Sequence, residues 1–60
     1  MDREKIGTCI RQLEEELLVK PDDPVLLNNL GANHSMLEDH SRAIEFYDMA
    51  LTKSRDYRLA

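Results

Sequence analysis

Sixty residues with a single cysteine make one small domain at most, and no intrachain disulfide can brace it. A net charge of −4, with lysines and arginines spread out rather than clustered, argues against nucleic acid as a partner. No apolar run reaches the roughly 18 residues of a membrane span, and "MDREKIGTCIRQ" lacks the apolar core of a signal peptide. A chain this short buries only about 60% of its unfolded surface. Self-association, or membership of a longer array, is therefore expected to assist it. The lone thiol makes a reducing, cytoplasmic setting the expectation.

Three stretches carry helical periodicity and none alternates as a strand does. In the first, Ile6, Ile10, Leu13 and Leu17 form one stripe, with Cys9 beside it and Arg11, Glu14 and Glu15 opposite. The spacing predicts a helix over 2–20, capped by Asp2 and stopped by Pro21. Glu14 to Glu16 read as a solvated face.

The second stretch opens with "PDDP", in which Asp23 is the predicted N-cap and Pro24 the first helical residue. Leu27, Leu30, His34 and Leu37 then share one face, and Glu38 to His40 make a short turn. A third helix is predicted from about Ser41 to Lys53, with Ala43, Tyr47 and Ala50 on one line and Ile44 and Leu51 beside it. The short turn makes the second and third helices antiparallel neighbours. The tail "SRDYRLA" completes no period.

Inside the second helix stands Gly31, where glycine costs about 1 kcal/mol relative to alanine. Close packing explains it: Gly31, Ala43 and Ala50 would let two helices approach. Phe46 and Met49 lie off the main line of the third helix and widen its apolar surface. They read as scattered surface residues or as an open interface for a second chain. The length argument favours the interface, so Phe46 and Met49 are the expected self-association residues.

Shifted by 34 positions, Ile10 falls on Ile44, Leu17 on Leu51, Asp22 on Asp56, and Cys9 on the similarly small Ala43. Helix one thus looks like an earlier copy of helix three. The tetratricopeptide repeat has this period and the pattern W-x2-L-G-x2-Y…A-x3-F…P. Here the chain reads Leu27-x2-Leu30-Gly31-x2-His34, then Ala43-x3-Tyr47, then Ala50, with Pro21 at the closing position of a preceding repeat. The chain resembles that family over nearly its whole length. One full repeat would span 24–57, preceded by the second helix of another, making an all-α fragment of about one and a half repeats. Leu27 replaces the frequent tryptophan, His34 the tyrosine, and Arg55 the closing proline. Glu38 stands where the turn often has glycine, so that turn is expected to be strained.

The resemblance implies stacked antiparallel helix pairs whose first helices line a groove for peptides or partner helices. Carried over by position, Val25, Asn28, Ala32, Ser35 and Met36 would line it, and their spacing places them on one helical face. Part of the family grips C-terminal carboxylates with a Lys and an Asn four residues apart; Asn28 and Ala32 do not reproduce that clamp. The resemblance also gives Cys9 the place of a small packed residue in the second helix of a repeat, which implies a buried small hydrophobe. It gives Glu16 a position normally held by a small packed residue, consistent with an outer helix whose far side is loose.

The functional expectation is a non-enzymatic protein–protein interaction module or scaffold, without catalytic residues, metal or cofactor. A structural self-assembly unit, either a homodimer or a segment of a longer array, is the alternative. A third reading is a small metal or hydrolase site at His34 and His40. It lacks a nucleophile, a glycine-rich loop and the spacing of a helical zinc motif. Turn capping and side-chain packing explain these histidines more simply.

Overall fold

The computed structural model describes residues 3–59, with side-chain environments for residues 3–55. It contains α1 (Arg3–Val19), α2 (Pro24–Met36) and α3 (His40–Leu59), and no strand among the described residues. The all-α expectation holds. The predicted cap at Asp2 lies outside the described residues. No helix among the described residues is long and apolar enough to cross a membrane.

The break between α1 and α2 follows from Pro21 and Pro24, which bracket a turn. Asp23 caps α2 as its sequence demands: Val25 N–H donates to Asp23 Oδ1 at 2.9 Å, and Pro24 takes the first helical position. Lys53 on α3 reaches Asp22 in this turn at 3.0 Å, fastening the far end of α3 to the start of α2.

The break between α2 and α3 is a Schellman turn. Asp39 N–H donates to the His34 carbonyl and Glu38 N–H to the Ser35 carbonyl, each at 2.9 Å. This geometry requires a left-handed residue, and Glu38 supplies it with φ of 64°. The strain expected from a missing glycine is therefore present. Glu38→Gly should stabilise the fold by about 0.5–1 kcal/mol once unfolded-chain entropy is deducted. Thermal unfolding followed by circular dichroism checks it, and an unchanged or lower midpoint would remove the strain argument.

α3 runs six residues past the predicted end at Lys53. No proline or glycine interrupts 54–59, and a helix already nucleated extends cheaply through arginine and leucine.

Leu27 and Leu30 on α2 are the largest fully buried side chains. Ile6 and Ile10 of α1 pack with Leu30, and Leu13, Leu17, Leu37 and Phe46 close around that cluster. Leu27 and Leu30, being fully buried, each contribute about 1.5–3 kcal/mol by leaving water. On the other flank of α2, Ala43 and Ala50 of α3 are buried, and a Cβ on Gly31 would stand 2.8 Å from two Tyr47 ring carbons. The glycine and the two alanines make room for that close approach.

Among the described residues no Cα of α1 comes within 8 Å of one in α3, so α2 is the central helix. The Cα extents of 39 × 22 × 14 Å describe a thin, single-layer molecule. Cys9 is exposed, contrary to the burial its repeat position implied. It lies beside the α1 stripe rather than on it, where α2 does not reach and α3 is too far away.

Candidate functional site

Around α2, each residue advances about 100°, so Val25 and Leu27 point in nearly opposite directions. Leu27 is buried and Val25 exposed. This alternation gives the molecule two broad sides, each with a groove.

On the first side, Val25 and Asn28 line a groove of about 450 Å³ together with Pro24. The second wall comes from α3 through Tyr47, Leu51 and Ser54. None of these residues is an aspartate, glutamate, lysine or arginine, and neither is any residue of α2. Ala32 and Ser35 are half-buried and Met36 is exposed, all on the same side of α2 by helical spacing but outside the groove lining. The five residues expected to bind a partner therefore share a face, and only Val25 and Asn28 sit in its groove. Among the described residues the Asn28 side chain makes no hydrogen bond, whereas Asn33 Nδ2 folds back to the Asn29 carbonyl at 2.8 Å.

In the sequence Tyr47 lies in line with Ala43 and Ala50, and Leu51 only beside that line, so the α3 wall is not apparent there. The signal was present: Ile44, Tyr47 and Leu51 recur at steps of three and four, so they continue as one stripe. Ile44 is 59% exposed, whereas Ile10, 34 positions earlier in the chain, is only 8% exposed, close to the 6% of its neighbour Ile6. α2 covers the earlier isoleucine, and no described residue covers the later one.

On the second side, Phe46 and Met49 face Leu17 and Leu18 across a groove of about 610 Å³ with Leu27 at its floor. The structure brings the two expected self-association residues together here, but they differ. Met49 is exposed, while Phe46 is half-buried and stacks on His34, with ring centroids 5.3 Å apart and planes 6° from parallel.

That stack settles the place of His34, which is buried on the interior face of α2. Among the described residues its Nδ1 has no hydrogen-bond partner, and it lies 3.8 Å from Asp39 Oδ2. Asp39 in turn accepts from Arg42 N–H through Oδ1 at 3.4 Å and meets Arg42 Nε at 3.4 Å through Oδ2. Asp39 is thus occupied at the start of α3. His40 is exposed on the first turn of α3, and Glu38 is exposed in the turn. Among the described residues no three histidine, cysteine or acidic side chains converge. His34 is a buried ring packed against Phe46 on the interior face of α2.

In comparison with known proteins, no family model, no curated protein and no solved structure matches the chain.

Proposed function

We propose that the chain is a non-enzymatic protein–protein interaction module of tetratricopeptide type, which docks a helix or peptide across the α2/α3 groove. The observation that carries this reading is the uncharged groove. The chain as a whole is 33% charged, yet neither α2 nor the groove lining contains Asp, Glu, Lys or Arg. Depletion of charge at a surface patch is the compositional mark of an interface centre.

Apolar anchors of the partner would fill the space between Val25 and Leu51. Asn28 would contribute an amide that both donates and accepts, and Ser35 a hydroxyl farther along α2. Met36 would adapt to varied apolar shapes. An anchor leaving water there yields about 25 cal/mol per Å². A reducing, cytoplasmic compartment suits the exposed Cys9 thiol, which would otherwise be open to oxidation.

Selecting binders from a displayed library of helical peptides tests the reading. Neutral, apolar anchors should dominate the binders. Val25→Glu or Leu51→Glu should weaken them at least tenfold, about 1.4 kcal/mol, with helicity unchanged. Binders indifferent to both substitutions would place recognition elsewhere.

A further inference from the structure

The second groove has a different chemistry. Its apolar walls are rimmed by Arg11, Glu14 and Glu15 on α1. All three are exposed, and none is in an ion pair among the described residues. At the lip stands Leu18, 85% exposed, opposite Met49 at 41%. We propose that this face pairs with the same face of a second copy of the chain, about a two-fold axis that sets α1 antiparallel to the partner's α1.

A two-fold interface must be complementary to itself. A rim of one sign would repel its copy, whereas this rim carries both signs three and four residues apart. Reversing the helix direction brings Arg11 against the partner's Glu14 or Glu15, and the symmetry makes the contact twice.

The size also fits. A stable pair needs about 800 Å² from each partner, and a single-layer molecule with Cα extents of 39 × 22 Å across its broad side can supply it. Pairing on this side leaves the uncharged groove open, because Val25 and Leu27 face opposite ways on α2.

Sedimentation of the full chain from low micromolar to millimolar concentration tests the pairing. The unaltered chain should shift from monomer to dimer. Arg11→Glu makes the rim wholly acidic, and Glu14→Arg with Glu15→Arg makes it wholly basic. Each variant alone should dimerise at least tenfold more weakly, with unchanged helicity because all three positions are exposed. An equimolar mixture of the two should recover a dimer that weakens with added salt. A chain that stays monomeric throughout would overturn the proposal. So would charge variants that pair as the unaltered chain does, a mixture that fails to pair, or a dimer abolished by Val25→Glu.

Discussion

Gly31→Leu should destabilise the fold by about 3 kcal/mol or more, and Gly31→Ala by about 1 kcal/mol. The first added carbon already stands 2.8 Å from the Tyr47 Cδ1 and Cε1 atoms, closer than real contacts allow. Alanine gains about 1 kcal/mol of helix propensity, but overpacking costs about 1–3 kcal/mol. Leucine adds three more carbons in the same direction. The Tyr47 ring would have to leave its half-buried seat against α2.

Gly7 is the internal control. It lies in α1 with nothing within 4 Å of an added Cβ, so Gly7→Ala should gain the propensity without a clash. The same chemical change thus has opposite signs in two helices. Thermal unfolding resolves the difference, because 1 kcal/mol moves the midpoint of a domain this size by about 4–8 °C. In a Tyr47→Ala background, Gly31→Ala should become stabilising. If Gly31→Ala raises the midpoint of the unaltered chain as Gly7→Ala does, close helix approach is not the reason for the glycine.

Leu30→Ala should be at least as damaging. Leu30 is fully buried, at 0% exposure, in one cluster with Ile6 and Ile10 of α1. Truncating a buried leucine costs about 2–5 kcal/mol. A chain of this length commands only about 3–9 kcal/mol in all, at 0.05–0.15 kcal/mol per residue. The variant should therefore lose most of its helicity at 37 °C. Leu18→Ala, at a site 85% exposed, should change monomer stability by less than about 0.5 kcal/mol. Urea unfolding followed by helicity compares the two. Equal midpoints would show that the central cluster does not hold α1 to α2.

What could be read in advance was local. Asp23 and Pro24 specify the start of α2 because a cap and a proline act within one turn. The strain at Glu38 was legible only through the resemblance, which puts glycine at that place in the turn, and the structure gives Glu38 a positive φ there. The stripe of Leu27, Leu30 and His34 gave the buried side of α2, since periodicity reports which face is covered.

Periodicity does not report how far the cover extends. Cys9 adjoins the α1 stripe and is exposed, whereas Ile6 and Ile10 on the stripe are buried. Ile44 repeats Ile10 in identity and position, and only a neighbour present for one of them makes their burial differ. The α3 wall of the uncharged groove was hidden similarly, since Tyr47 serves the helix contact and the groove at once. The extension of α3 to Leu59 had no signal beyond the absence of a breaker.

With α1 and α3 out of backbone contact, the three helices are connected in series rather than in a ring. All backbone contact between α1 and α3 is relayed by α2, and Phe46 of α3 adds a side-chain route where it closes on the cluster of Ile6, Ile10 and Leu30. A ligand seated beside Val25 and a chain seated above Leu27 press on the two sides of the same helix. Thirteen residues therefore form a shared partition, and its rigidity sets how strongly an event on one side is felt on the other.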